Sequence, residues 1–391
     1  MRRDLDIAPS QNLPAHGEGV PPPLTREVRR GHVEKPIHRA QIFGCVAMSR
    51  AKRRVVVIRP DDKLGETLLA TPVFQAIKEA VPEAKIEAWV GHRWRSVIEA
   101  SPWLDAVRGV PYRPRLMTYW KLAFALRQQR PEAVLILRPN TRRYAQLARF
   151  VGVKVRVGAV VYRPRVARLL THVVPLNPCA HQVEKNLAVA EAWLGRQLPR
   201  YPLHYAPAKR GRLPDALTRS NRYAVLHLST GGVQPQWLPD RFAEVGRRLQ
   251  RNHSLIPVLT GGADAVLMGE QCARNLEPSA VNLVGQTSIL DLAEIVRHAA
   301  LLVSVDTGVV HLAAAVGTPC VSLHFRRDYP PENWYAWQVP TVPVSPQRYC
   351  EGCTQHACRL KDFTCVQSIS VAQVIAAVDT LLAQCGNQPR R

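Results

Sequence analysis

Acidic residues are scarce in this sequence: its 391 residues hold 30 Asp and Glu against 53 Lys and Arg, a net charge of +23. A field of that sign concentrates anions, whether nucleotide diphosphates, phosphorylated glycolipids, an anionic membrane face or nucleic acid. Residues 1–54 carry 11 basic and 5 acidic side chains, so +17 belongs to the remainder. Long apolar runs are also missing. None approaches the roughly 18 residues that a bilayer span requires. The first 50 residues contain no apolar segment followed by a small-residue cleavage site, so a secretory signal is not expected and a cytoplasmic location is. No G-x-G-x-x-G follows an apolar run, which argues against a dinucleotide oxidoreductase. Aromatic residues make up 6% of the chain, and the basic stretch 138–168 contains only Tyr144, Phe150 and Tyr162. Without stacking platforms or a recognisable reading module, nucleic acid is not an expected partner, and a basic nucleic-acid-binding protein stays only as a lesser alternative.

What is present is alternation. Residues 1–47 include a run of three prolines and no periodicity, and read as a disordered tail or a mis-assigned start before Met48. From there, strands are expected at Val55–Ile58, Ile86–Val90 and Ala133–Leu137. Helices are expected at Thr67–Ala80, Arg95–Ala100, Leu116–Gln129, Arg142–Val151 and Gln182–Leu194. Residues 196–221 carry four prolines and read as a linker. The alternation resumes with strands at Tyr223–Leu228, Leu255–Leu259, Val281–Val284 and Leu301–Val305. Helices are expected there at Asp240–Arg251, Asp264–Asn275 and Ile289–Ala299, and a last one at Val371–Ala383. Continuous apolar strands between amphipathic helices predict an α/β protein with parallel sheets covered on both faces. The expected arrangement is two Rossmann-like domains, 48–195 and 222–370, facing a central cleft, with a C-terminal helix and tail at 371–391.

The stretch Leu301 to Leu323, LLVSVDTGVVHLAAAVGTPCVSL, organises the chain. A buried strand turns at Asp306-Thr307-Gly308 into a helix stopped by Gly317 and Pro319. Free N–H groups of a helix's first turn, together with its dipole, favour an anion. Thr307 can add a hydroxyl and Gly308 permits close approach. His311 follows one turn later, and the whole reads as a diphosphate cradle. The plainer alternative is a capped helix with a half-buried histidine. A second site follows the first strand: Arg59-Pro-Asp-Asp-Lys63-Leu-Gly65-Glu66 puts a carboxylate in the first turn of a helix, the ionised form that a general base needs. Here too a plain dipole-complementing residue is the alternative.

VVVIRPDDKLGETLLATPVFQAIKEAVPEAKI resembles the opening of glycosyltransferase family 9, the ADP-heptose:lipopolysaccharide heptosyltransferases and their relatives. SVDTGVVHLAAAVGTP resembles that family's D-[ST]-G-x-x-H-[LM]-A-A-A-x-G-x-P signature. His181-Gln-Val-Glu resembles its H-x-V-E segment, and Trp237 to Phe242 its W-P-x-x-x-F helix start, in the family's order from about residue 54 to 380. The resemblance implies a GT-B fold and inverting, metal-independent transfer of a sugar, heptose by family, from a nucleotide diphosphate, ADP by family. The implied acceptor is a lipopolysaccharide core or related anionic glycolipid at the inner-membrane surface, with the protein peripheral on that membrane. Glu66 matches the family's catalytic carboxylate. Ser229, Thr230, Gly231, Asp306, Thr307, Gly308 and His311 match donor-binding segments, and Asp264 sits where an acid would reach ribose hydroxyls.

Arg59, Lys63, Arg138, Arg142 and Arg143 are the expected acceptor-binding cations. The last three open a stretch, 138–168, with nine basic and no acidic side chains. A solvated basic surface is the plain alternative. One departure stands out: Pro235 occupies the place of a family lysine that reaches the donor phosphates, which keeps a non-catalytic relative open as an alternative. Either Arg59, Lys63 or Arg241 substitutes, or phosphate binding is weaker. Cys350, Cys353, Cys358 and Cys365 form a loop at 350–365 whose four thiolates suit a structural zinc, although the spacing lacks two separated C-x2-C knuckles. No cofactor is expected for the chemistry.

Overall fold

Short runs of Val, Ile, Leu and Ala that are apolar on both faces can only be satisfied inside a sheet covered on both sides. The computed structural model describes residues 53–217, 222–230, 236–325, 330–347, 349 and 364–386. Residues 1–47, Gly231, Pro235, Cys350, Cys353 and Cys358 lie outside the described residues.

The first half runs β1 (Arg54–Arg59), α1 (Leu64–Leu68), α2 (Thr71–Ala80), β2 (Lys85–Gly91), β3 (Ala106–Val110), α3 (Leu116–Gln129) and β4 (Ala133–Ile136). It continues with α4 (Arg142–Val151), β5 (Val155–Ala159), β6 (His172–Val174) and α5 (Gln182–Leu194). The second half runs β7 (Tyr223–His227), α6 (Pro239–His253), β8 (Ile256–Thr260), α7 (Val266–Arg274), β9 (Val281–Asn282), α8 (Ile289–His298) and β10 (Leu301–Val305). Then come α9 (Gly308–Val316), β11 (Cys320–Leu323), α10 (Pro331–Trp334), β12 (Thr341–Val344), α11 (Thr364–Ser368) and α12 (Val371–Gly386). Among the described residues no helix is long and apolar enough to cross a membrane.

The strands form two six-stranded parallel sheets ordered β3-β2-β1-β4-β5-β6 and β12-β11-β10-β7-β8-β9. Each sheet winds outward from its middle in both directions. The loops after β1 and β4, and those after β7 and β10, therefore diverge at a switch point, where α/β proteins place ligands. Val55 pairs with Ile86 on one side and Ala133 on the other; Leu302 pairs with Val225 and Cys320. One buried cluster draws on both halves, joining Val57 and Leu68 to Val309, Val310 and Leu312.

The expected single helix Thr67–Ala80 is instead two. Pro72 has no N–H to donate to Leu68 O, so one bond of a continuous helix cannot form, and Pro72 instead takes a place in the first turn of a new helix. The chain bends at Leu69–Ala70, and Thr71 Oγ1 donates to Leu68 O at 2.7 Å. Gly195 and Gly317 end α5 and α9 at φ 69° and 83°, the left-handed conformation that glycine adopts without a Cβ clash. The described part of the segment expected as a linker, 196–217, has no helix or strand, yet it is packed down. Leu198, Leu203, Tyr205 and Leu217 are buried, and Ala206 exchanges backbone hydrogen bonds with Val97 and Ala100 at 2.9 Å each.

Candidate active site

Arg59, the last residue of β1, is 3% exposed and its guanidinium lies among four protein partners. Nη1 donates to Leu137 O and to Asn186 Oδ1, each at 3.1 Å, and Nη2 donates to Glu66 Oε2. Nε lies 3.0 Å from Asp61 Oδ2. Asn186 is fixed in turn, because its Nδ2 donates to Leu69 O at 2.9 Å and its Oδ1 accepts from Gln182 Nε2 at 3.1 Å. The other oxygen of Asp61 pairs with Arg138 from the end of β4, and the Arg138 guanidinium lies over the Tyr112 ring at 4.5 Å. The β1–β4 neighbourhood thus builds a chain of alternating charge, Glu66–Arg59–Asp61–Arg138. Planar guanidinium forks suit such buried pairs. Glu66 is left with Oε1 unpartnered among the described residues.

On the other half, Ser229 follows β7 and donates to both oxygens of Asp264 at 2.7 and 2.8 Å, so the acid expected at ribose hydroxyls is tied to the loop after β7. Thr307 caps α9, its hydroxyl accepting from Val309 N at 3.4 Å. The N–H groups of Thr307 and Gly308 have no partner among the described residues and remain donors for an anion. His311 is buried and held neutral, its pKa pushed down to about 3 by burial and by the nearby His181 and His324. His324, at the end of β11, shares a hydrogen bond with Ser322 Oγ at 2.9 Å, and its Nδ1 lies 3.7 Å from Asp306 Oδ2. Burial lowers its pKa to about 4.

The two halves touch through glycines. A Cβ on Gly308 would lie 2.9 Å from Leu64 Cβ and 3.1 Å from Gly65 N; one on Gly65 would lie 2.5 Å from His311 Cδ2. Only missing side chains let the starts of α1 and α9 cross at that distance. A clasp reinforces the crossing. Asn333 Nδ2 donates to Pro178 O at 2.7 Å, Trp337 Nε1 to Tyr201 O at 3.0 Å, and Gln338 Nε2 to Arg200 O at 2.9 Å. His181 caps α5 by accepting from Val183 N on Nδ1, while Nε2 donates to Tyr335 O at 3.1 Å and the ring stacks on Trp337 with centroids 4.6 Å apart. Burial pushes its pKa down to about 4.

The profile of glycosyltransferase family 9 (heptosyltransferase) matches residues 119–364, well over half of the chain. The chain belongs to glycosyltransferase family 9. Lipopolysaccharide heptosyltransferase 3 of Escherichia coli K12 is 26% identical to this family-9 glycosyltransferase over 336 residues, covering 82% of this chain and 96% of that protein. A family-9 glycosyltransferase structure from Veillonella parvula superposes with a TM-score of 0.70 at 20% identity, over 86% of this chain and 99% of that one. The E. coli ADP-heptose lps heptosyltransferase II structure gives 0.64 at 20% identity, over 85% and 99%. The architecture is therefore GT-B.

In this family-9 glycosyltransferase the remaining candidate cations separate clearly. Arg241 donates to the carbonyls of Gln367 and Ile369, the latter at 2.6 Å, and so braces α6 against the α11–α12 junction. Arg59, expected as an acceptor cation, is 3% exposed and enclosed by Glu66 and Asp61. Lys63, at the cap of α1 beside the crossing, is exposed. Arg142 and Arg143 are exposed on the first turn of α4, and Arg143 also donates to Pro114 O. Asp61, Asn186, His324 and the 331–338 clasp were not anticipated from sequence. Cys365 is buried, and among the described residues no His, Cys, Asp or Glu group could hold a metal.

Proposed function

We propose that this enzyme moves a heptose from ADP-heptose to a lipopolysaccharide-core or related anionic acceptor by a single inverting displacement. Residues 48–195 act as the acceptor half and 222–370 as the donor half. One observation carries the reading: the Glu66 turn and the Thr307–Gly308 helix start, 241 residues apart in sequence, meet at a glycine crossing. Glu66 Oε2 is held by Arg59, which aims Oε1 at an acceptor hydroxyl whose proton it takes as the anomeric carbon is attacked. The departing diphosphate is met by the N–H groups of Thr307 and Gly308 and by the Lys63 ammonium, which takes the place left by Pro235. Fixed donors of this kind stabilise developing charge without reorganising, and the scheme calls for no divalent cation. Ser229 and Asp264 orient the nucleoside. Arg138, Arg142 and Arg143 face acidic acceptor groups, and the enzyme works as a peripheral protein on the cytoplasmic face of the inner membrane.

The test is Glu66→Gln with ADP-heptose and a lipopolysaccharide-core acceptor. Transfer should fall by about 10²–10⁴ while ADP binding is retained and EDTA leaves the parent rate unchanged. Near-full activity in the variant would reject Glu66 as the base. Failure of every nucleotide diphosphate to raise the melting temperature would favour a non-catalytic relative. Cys350, Cys353, Cys358 and Cys365 are proposed as a structural zinc set; elemental analysis of protein purified without metal chromatography decides it.

A further inference from the structure

Helix α3 is apolar on two sides. Leu122, Ala123 and Leu126 face inward and are buried. Leu116, Met117, Trp120 and Phe124 face outward and are 72%, 71%, 50% and 65% exposed. At 100° per residue those four fall within about a 100° arc, one continuous stripe along the helix. Phe150, 61% exposed at the end of α4, lies edge-on to Trp120 with centroids 5.4 Å apart and widens the stripe. Single exposed apolar residues are ordinary, whereas a contiguous ridge of aromatic and aliphatic side chains marks a surface meant to be covered.

Charge says what covers it. Between Asp105 and Glu184 the chain carries 15 Arg and Lys and one acidic residue, Glu132. Arg113, Arg115, Lys121 and Arg149 border the ridge and are exposed. A second copy would bring the same positive border against this one. Residues 1–52 of the chain carry nine basic and five acidic side chains and complement it no better. An amphipathic face with apolar side chains at its centre and cations around it fits the interface of a bilayer with anionic headgroups.

We propose that the outward face of α3, with Phe150 and its basic border, seats this protein on an anionic phospholipid bilayer. Trp120, Phe124 and Met117 enter the headgroup–acyl boundary, and Arg115 and Lys121 meet lipid phosphates. The ridge leads to the acceptor side, since Tyr112, four residues before Leu116, lies under the Arg138 guanidinium that pairs with Asp61. A membrane-borne acceptor would thus be presented beside Glu66, a consequence that rests on the transferase reading, whereas the docking itself does not.

The experiment is co-sedimentation of the full chain with vesicles of phosphatidylglycerol and phosphatidylethanolamine, and with phosphatidylcholine vesicles. Binding is expected only with phosphatidylglycerol and should weaken with salt. The double variant Trp120→Ser, Phe124→Ser should bind at least tenfold less tightly. Arg115→Gln and Lys121→Gln should each cost about fivefold. Transfer to a soluble, delipidated acceptor should be unchanged in all of them, and transfer to vesicle-embedded acceptor should fall. The proposal is overturned if the double variant binds as the parent does, or if the parent ignores phosphatidylglycerol. It is also overturned if light scattering shows a dimer that the double variant dissolves, or if binding appears only once residues 1–52 are removed. Vesicle binding without any sugar transfer would reject the transferase reading and leave the docking surface standing.

Discussion

Replacing Gly65 by alanine adds one methyl group where α1 meets α9. Its Cβ would sit 2.5 Å from His311 Cδ2 and 3.3 Å from Nε2, against an ordinary contact of 3.4–4 Å, so the imidazole must retreat by roughly 1 Å. The ring has little room to do so, because His311 is only 4% exposed and Trp334 lies beyond it with centroids 6.3 Å away. Overpacking of this kind costs about 1–3 kcal/mol. If the strain is relieved by parting the two helix starts, the catalytic geometry is lost with it, and kcat/KM should fall about 5–150-fold. If it is absorbed within the folded protein, the melting temperature should drop instead, by about 2–4 °C per kcal/mol. A second substitution, His311→Ala, returns the space. In urea unfolding the double variant should be more stable than the sum of the two single changes predicts, by about 0.5–3 kcal/mol. Stability is the readout for that cycle because His311 lies in the segment proposed to bind the donor. A Gly65→Ala enzyme equal to the parent in both stability and turnover would refute the idea that this approach matters. Strict additivity would refute His311 as the atom in the way.

Arg59→Met should destabilise the fold by about 3–5 kcal/mol, since two buried carboxylates lose their shared cation; Arg59→Lys should recover much of that stability but little transfer, because one ammonium cannot reach Glu66, Leu137 O and Asn186 together, and urea titration beside rate assays separates the two. Lys63→Ala should raise KM for the donor with little change in KM for the acceptor, and equal effects on both would remove Lys63 from the diphosphate. Stability should depend on pH in a defined window. His181, His227 and His324 are depressed to about 4 and His311 to about 3, from an ordinary 6.5. The unfolded chain therefore binds these protons first. Their contribution is present above pH 6.5 and is lost as pH falls toward 4, by up to about 1.4 kcal/mol per pH unit for each ring. A melting temperature that stays flat from pH 7 to pH 5 would contradict this, and His181→Gln should flatten the fall.

Legibility in the sequence followed locality. The strand, turn and helix around Asp306 are written in consecutive residues, and the helices Leu116–Gln129, Arg142–Val151 and Gln182–Leu194 were readable to the residue because apolar period and end signals agree. Pro72 broke a helix whose periodicity ran straight through it. β3, β5 and β6 are not legible because Arg108, Arg156 and His172 interrupt their short apolar runs; β3 and β6 are the two edges of the sheet and β5 lies beside β6. Arg59 offered itself as an acceptor cation, and nothing local reveals that Asp61 and Arg138, brought beside it by the β1–β4 pairing, close around it. His324 was unreadable for the same reason. Its link to Asp306 exists only because β10 and β11 are neighbours.

The clasp between the halves has an evolutionary corollary. In each of its four bonds one member is a side chain, of Asn333, Trp337, Gln338 or His181, and the other is a peptide oxygen, of Pro178, Tyr201, Arg200 or Tyr335. A peptide oxygen survives any replacement of the residue that carries it. Half of these positions thus contribute to the bonds through the backbone alone, so the four bonds themselves constrain side-chain identity only at Asn333, Trp337, Gln338 and His181, whereas Gly65 and Gly308 at the crossing tolerate no side chain at all.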